Sequence, residues 1–296
     1  MNLHRRHVRP VIFEVVFWML LGCFLTLFVM GLVADVLWVI IPAGLYITLL
    51  VEAGCIEPRI ITSKVYRVSL EASARFRLVF ISDFHAGAHK GRRFYQRLVA
   101  RVNALDPDVI ILGGDFVEDE IAGIEDLASF KNLRAAQGVY FLLGNHDFDD
   151  EPQCVRTTLV KWKLRDLTNR SVLLEKDGRT IELIGLDDAW RGKPYSQLVH
   201  RGASSPRIVL MHEPDGLLDL EAGQADLVLM GHTHGGQVRL PRIGALVPLP
   251  QQLPRSFDRG RKDWKGIPVI ISQGVGETGT RMRFCCPPEM TVVEIE

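Results

Sequence analysis

Cysteine is scarce and poorly spaced for either of its structural uses. The five thiols, Cys23, Cys55, Cys154, Cys285 and Cys286, are odd in number and form no CxxC pair, so neither a disulfide framework nor a zinc finger is read from them. Small apolar side chains in a reducing compartment are the expected role. Net charge is absent as well, 35 basic residues balancing 35 acidic ones. That argues against a nucleic-acid partner, whose binders usually carry a positive footprint. No internal repeat or low-complexity tract occurs.

Charge is missing most conspicuously near the start, where Val11 to Ala53 holds only Glu14, Asp35 and Glu52. As a single helix, Val15 to Ala53 would extend roughly 55 to 60 Å at ~1.5 Å per residue, against a bilayer core of about 30 Å. Gly31, Asp35 and Pro42 mark where the run is expected to divide, giving a helix near Val11 to Val33, a second near Val36 to Ala53, and a transmembrane hairpin. One span plus a re-entrant segment is the alternative. His4, Arg5, Arg6, His7 and Arg9 precede the run, and Arg59, Lys64 and Arg67 follow it. The positive-inside rule then places both ends in the cytoplasm and the anchor in the inner (cytoplasmic) membrane. A secretory signal with a twin-arginine start fits less well, since the run far exceeds an h-region of about 7 to 15 residues. The expected organisation is an anchor over residues 1–58 and a globular domain over 59–296, long enough for a sizeable core.

In that second part, short β-branched runs stop where polar residues begin. Arg77 to Ser82 ends at Asp83, Val109 to Leu112 at Gly113-Gly114-Asp115, and Val139 to Leu143 at Gly144-Asn145-His146-Asp147. Ile208 to Met211 ends at His212, and Leu227 to Met230 at Gly231-His232-Thr233-His234. Between them, Phe94, Leu98, Val102 and Leu105 form a helical stripe, and Ile121 to Ala136 predicts another helix. Asp177-Gly178 between two apolar runs signals a hairpin. Pro241 to Lys265, rich in Pro and Arg, reads as an extended loop or lid. The alternation predicts an α/β domain, whose sites gather at the carboxyl ends of strands.

Five of the nine histidines fall in these strand-end motifs beside Asp83, Asp115 and Asn145. Imidazole with carboxylate suits divalent Mn²⁺, Fe²⁺ or Zn²⁺ better than Ca²⁺. The order of Asp83-Phe84-His85, Gly114-Asp115, Gly144-Asn145-His146-Asp147, His212 and Gly231-His232-Thr233-His234 resembles the calcineurin-like metallophosphoesterase family over about residues 78–237. Gly-His-Thr-His-Gly-Gly-Gln, with Ile56-Glu57-Pro58 and Pro287-Pro288-Glu289, is similar to its membrane-associated YaeI-like phosphodiesterase branch, which includes UDP-2,3-diacylglucosamine hydrolases of lipid A synthesis. The resemblance implies a four-layer α/β/β/α sandwich holding two metal ions. It implies that Asp83, His85 and His234 hold one ion, that Asn145, His212 and His232 hold the other, and that Asp115 bridges them. His146 is implied as the catalytic histidine, with Asp147 either orienting it or serving as a turn carboxylate.

Basic residues offer candidate substrate contacts: Arg255, Arg259 and Arg261 in the expected lid, interleaved with Phe257 and Trp264. Arg92, Arg93, Arg97 and Arg101 form a helix face that is either solvated or set against anionic lipid heads. Asn169, Asp187, Asp188 and Trp190 are further loop candidates. The expected reaction is metal-dependent hydrolysis of a phosphodiester or pyrophosphate, with UDP-2,3-diacylglucosamine to UMP and lipid X as the implied substrate and products. The alternatives are a general phosphodiesterase acting on soluble or nucleotide substrates, and a non-catalytic membrane-tethered scaffold.

Overall fold

The computed structural model describes residues 8–70, 75–118, 121–149, 151–200, 205–247 and 252–296. His4, Arg5, Arg6 and His7 of the expected basic flank lie outside them. Two apolar helices, α1 (Val8–Ala34) and α2 (Leu37–Val51), run into a short π-helical turn (Glu52–Ile56) and a 3₁₀ turn (Glu57–Arg59). The spans Glu14–Ala34 (21 residues) and Leu37–Arg59 (23 residues) are long and apolar enough to cross a bilayer. The chain reverses at Asp35, whose φ is 50°. There the Val36 N–H reaches back to the Gly31 carbonyl at 2.9 Å, the six-to-one bond of a Schellman closure. Pro42 does not divide the run: it lies inside α2, in an apolar helix of the kind that tolerates proline.

The remaining elements, in order, are β1 (Thr62–Val68), β2 (Phe76–Ile81), α3 (Arg92–Asn103), β3 (Val109–Gly113), β4 (Val139–Leu142), α4 (Pro152–Lys161), β5 (Arg165–Asp166), β6 (Arg170–Lys176), β7 (Arg179–Gly185), β8 (Arg207–Leu210), β9 (Leu227–Met230), β10 (Arg239–Leu240), β11 (Gly244–Ala245), β12 (Gly260–Trp264), β13 (Ile267–Ile271) and β14 (Glu289–Ile295). They build two six-stranded mixed sheets, ordered β1-β14-β2-β3-β4-β5 and β12-β13-β9-β8-β7-β6. Leu78, Phe80 and Ile111 of the first pack against Leu183, Leu210 and Leu229 of the second to fill the space between them. Val79, Ile110 and Phe141 face outward onto Leu98, Val102 and Leu127. On the far side, Val209 and Val228 are covered by Leu217 of one short 3₁₀ segment (Pro214–Asp219) and by Leu220 at its C-cap. The architecture is the α/β/β/α sandwich, with one outer layer thin. β2, β3 and β4 lie in one sheet and β8 and β9 in the other, so strand ends from both sheets meet above the shared core.

Two segments differ from their expected form. Ile121–Asn132 is a 3₁₀ helix; its buried Ile124, Leu127 and Phe130 are spaced by three, the period of that helix rather than of an α-helix. The expected lid contains β12, an edge strand antiparallel to β13.

The hairpin is docked on the globular part. The Glu14 carboxylate meets Arg281 at 2.7 Å and His89 at 3.0 Å, and Arg281 lies 5.3 Å from the ring centres of Phe17 and Trp18. Behind this contact, Glu277 is buried between Lys90 (2.5 Å) and Arg283 (3.0 Å). Burial, only partly offset by Glu277, pushes the Lys90 ammonium down from 10.5 to about 7. A lowered folded value means that the unfolded chain binds more protons between the two values. Stability should therefore rise with pH from about 7 toward 10.5, by up to about 1.4 kcal/mol per pH unit, and be lost as pH falls through about 7. Denaturant melts at pH 7, 8 and 9 should show this slope reduced in Lys90→Met; parallel stability profiles for the two proteins would contradict it.

Candidate metal centre

The loops leaving β2, β3 and β9 hold their polar residues in an uncommon backbone conformation. Asp83, His85, Asp115, His232 and His234 all have positive φ, from 46° to 68°, at an expected cost of about 1 to 3 kcal/mol each. The surroundings offset this by lacing the loops together. The N–H groups of Phe84 and His85 donate to the Asp115 carbonyl at 2.8 and 3.0 Å, and the Asp83 N–H donates to the Gly114 carbonyl at 3.0 Å. Gly114 itself is required: at φ 95° a Cβ would stand 2.6 Å from the Gly144 nitrogen and 2.7 Å from His212 Nδ1.

Three groups of donors result, two of which share Asp115, while the third joins His85 to Glu118 and His146. Asp83, His85, Asp115 and His234 each bring one ligand atom within 4.8 Å of the others, and Asp115, His212 and His232 do the same. Asp115 Oδ2 lies 3.4 Å from His85 Nε2 and 3.1 Å from His212 Nε2. Asn145 joins the second group through its Oδ1, 2.9 Å from His232 Nδ1. Neighbouring acceptors fix two of the imidazoles: His212 Nδ1–H donates to the Gly113 carbonyl at 2.6 Å, and His85 Nδ1 faces the Glu118 carboxylate. Both therefore turn Nε2 inward, toward the other donors.

These donors fit a cation. His85 Nε2 and His234 Nε2 stand only 2.9 Å apart, and His232 Nε2 and His234 Nδ1 are buried without a hydrogen-bond partner. Buried nitrogen that is left unsatisfied is costly, and divalent metal is the natural partner for imidazole and carboxylate combined. The protein's own charges divide the histidines. Burial opposes charge on all four, but Glu118, Asp115 and Asp83 outweigh it at His85, raised to about 9, and Asp115 leads the same reversal at His212. At His232, lowered to about 3, and at His234, burial prevails.

His146 is half-buried beside the first group. Its Nδ1–H donates to the Glu118 carbonyl at 2.9 Å and its backbone N–H to Asp115 Oδ1 at 2.9 Å, which leaves Nε2 as its free edge. Among the described residues, Asp147 is bonded to backbone rather than to the His146 ring. The Asp147 carboxylate is fully buried and accepts from the backbone N–H groups of Phe116 (2.8 Å), Val117 (3.3 Å) and Gly144 (2.9 Å), tying the β3 and β4 loops together. Glu118 is the residue that the sequence reading missed. Besides facing His85, it accepts from Thr278 Oγ1 at 2.8 Å, a contact across 160 positions that no local pattern announces.

The family model for calcineurin-like phosphoesterase matches residues 76–236, more than half of the 296 residues. The chain belongs to the calcineurin-like phosphoesterase family. The match begins on β2 and ends just past His234, so it encloses every candidate ligand. Among relatives, an uncharacterized metallophosphoesterase of Helicobacter pylori is 28% identical over 251 residues, covering 82% of this chain and 65% of that protein. Phosphodiesterase YaeI of Escherichia coli is 28% identical over 234 residues, covering 75% and 83%. A transmembrane protein with metallophosphoesterase domain from Danio rerio is 28% identical over 278 residues, covering 88% and 62%. The chain thus spans just under two thirds of the length of the Helicobacter relative. Calcineurin-like phosphoesterases use divalent metals, in keeping with the buried donors.

The expected substrate arginines do not form one cluster. Arg255 lines a cavity of about 330 Å³ beside Thr233 and Gly236. Arg259 is committed to Gln273 Oε1 at 2.6 Å and to the Cys285 carbonyl at 3.2 Å. Arg261 sits on edge strand β12 and reaches the Arg67 carbonyl at 3.4 Å, because the segment pairs as a strand instead of folding over the site. Trp190 stands closer to the donors: its ring centre is 4.5 Å from that of His232, and its Nε1–H donates to Asp215 at 3.1 Å. Asn169, Asp187 and Asp188 serve the loop that carries it. Asn169 Oδ1 accepts the Asp187 N–H at 3.1 Å, and Asp188 Oδ1 accepts the Trp190 N–H at 3.0 Å.

Proposed function

We propose that the protein is a membrane-anchored hydrolase that cleaves a phosphodiester or pyrophosphate with two divalent ions, Mn²⁺, Fe²⁺ or Zn²⁺. The observation that carries this reading is the buried donor set in two groups that share Asp115. Asp83, His85 and His234 would hold one ion, Asn145, His212 and His232 the other, and Asp115 both. Such a pair supplies Lewis acidity toward phosphoryl oxygens and makes water ionise nearer neutrality.

The chain's own groups do the rest. His146, with Nδ1–H held by the Glu118 carbonyl, presents Nε2 to the departing oxygen and, when charged, gives it a proton. Asp147 keeps the β3 and β4 loops in register, so that Asn145 and His146 stay beside Asp115. Trp190 offers an aromatic surface next to His232.

The docked hairpin favours a substrate drawn from the membrane, and the basic flank Arg59, Lys64 and Arg67 favours a cytoplasmic catalytic domain at the inner membrane. UDP-2,3-diacylglucosamine is the leading candidate: water oxygen joins the uridine-linked phosphorus, the bond to the bridging oxygen breaks, and UMP leaves from lipid X. The metal-loaded full chain should be incubated with this lipid in micelles, with bis-p-nitrophenyl phosphate and with cyclic nucleotides, and the products read by mass spectrometry. UMP together with lipid X is the expected result. Turnover of soluble diesters alone would remove the lipid substrate and leave a general phosphodiesterase, whereas no turnover of any of them would favour a scaffold.

A further inference from the structure

Between the base of the hairpin and the start of α3 lies a second cavity, of about 340 Å³, that contains none of the candidate ligands. Six basic side chains line it: Arg59, Lys90, Arg92, Arg93, Arg97 and Arg281. Glu277 is the one acid in its lining, and it is already shared by Lys90 and Arg283. Arg281 is matched by Glu14. Arg59, Arg92, Arg93 and Arg97 have no carboxylate partner among the described residues. All four are exposed, and Arg59 and Arg92 reach only the Cys55 and Glu125 carbonyls, so the combined positive charge around this concavity favours an anion. Gly91, at the N-cap of the twelve-residue α3, lines the same space and adds the positive end of a helix dipole.

The walls say where the anion comes from. Gly54 and Pro58, at the end of the second apolar span, form part of the lining. Glu14, which begins the first span, is tied to Arg281 on the rim. Both spans therefore meet the globular part at this cavity, while their linking turn at Asp35 lies at the opposite end of the helices. Val15, Trp18 and Met19 near the docked end are at least half exposed, an apolar surface suited to acyl chains. Cationic pocket and acyl-facing surface thus adjoin at the level where a bilayer carries its phosphates.

We propose that this cavity binds the phosphate headgroup of an anionic phospholipid, at a site separate from the metal centre. The inference rests on the membrane reading of the hairpin. Bound lipid would offset the uncompensated arginines and hold the globular domain against the bilayer surface.

The test uses the full chain in a neutral detergent and native mass spectrometry, titrating phosphatidylglycerol, phosphatidylcholine and inorganic phosphate. Wild type should bind one phosphatidylglycerol in preference to phosphatidylcholine. The double variant Arg93→Gln/Arg97→Gln should lose that affinity by roughly tenfold or more. Both residues lie on one helix, so thermal unfolding checks the fold, and Arg59→Gln/Arg92→Gln serves as a second variant on two separate elements. A variant that melts like wild type yet binds phosphatidylglycerol equally well would overturn the proposal. Equal binding of phosphatidylcholine would do the same, and displacement by millimolar inorganic phosphate would reassign the cavity to a free anion. Flotation with neutral phosphatidylcholine vesicles tests the hairpin separately: a chain that does not float refutes the membrane reading whatever the lipid titration shows.

Discussion

Replacing Asp115 with alanine is expected to remove bound metal and activity together. Its carboxylate lies 3.4 Å from His85 Nε2 and 3.1 Å from His212 Nε2, and its other oxygen holds the His146 N–H at 2.9 Å. Although it is fully buried, His212, His146 and His85 hold it well below the usual carboxylate range, so it is an anion where the donors converge. Without it the two groups would lose the one carboxylate they share. Elemental analysis of the purified variant should find less than one metal equivalent per chain against two in wild type. Turnover of bis-p-nitrophenyl phosphate should drop by about a thousandfold or more, since such ions stabilise the transition state by several kcal/mol. A variant that keeps both equivalents would show that Asp115 is not shared.

His146→Ala should separate what Asp115→Ala joins. The imidazole touches the metal loops through its backbone N–H and the Glu118 carbonyl, and both partners survive its removal, so metal content should stay at the wild-type level. Loss of a positioned acid costs about 10² to 10⁴ in rate, and it should fall on kcat with KM little changed. The leaving group supplies a sharper readout. A p-nitrophenolate departs without help, whereas an alkoxide needs a proton, so the defect should be larger for a diester with an alcohol leaving group. An equal defect on both, or metal loss matching that of Asp115→Ala, would contradict the role.

The strand ends were legible because each couples two local signals, a β-branched run and an abrupt polar stop, and tertiary packing preserves both. Asp83, His85, Asp115, His212, His232 and His234 could be picked out on that basis, before any contact between the two sheets was known. What stayed hidden depended on distance along the chain or on competing periods. Glu118 reads as one acid in an acidic stretch until Thr278 and His85 close around it. Ile121–Asn132 carries enough apolar residues for an α-helix, but their spacing by three selects the tighter turn. β1 is hard to see in sequence, since Thr62, Ser63, Lys64 and Arg67 carry no apolar alternation; it forms as an edge strand because β14 supplies a parallel partner. Arg259 and Arg261 are close in sequence but part in the fold: Arg259, just before β12, is held by Gln273 and the Cys285 carbonyl, whereas Arg261, on β12, reaches the Arg67 carbonyl.

On the proposed membrane reading, the contact of Glu14 with Arg281 and His89 would set what kind of anchor the hairpin makes. A flexible leash would let an enzyme sweep a hemisphere and meet soluble and embedded molecules alike. A hairpin clamped directly onto the fold removes that freedom: in a bilayer, the height and tilt of the catalytic mouth would be set by the helices, and the search for substrate would become two-dimensional. Lengthening the connection between Cys55 and Thr62 by a few flexible residues would restore a third dimension, raising turnover of soluble esters relative to embedded ones.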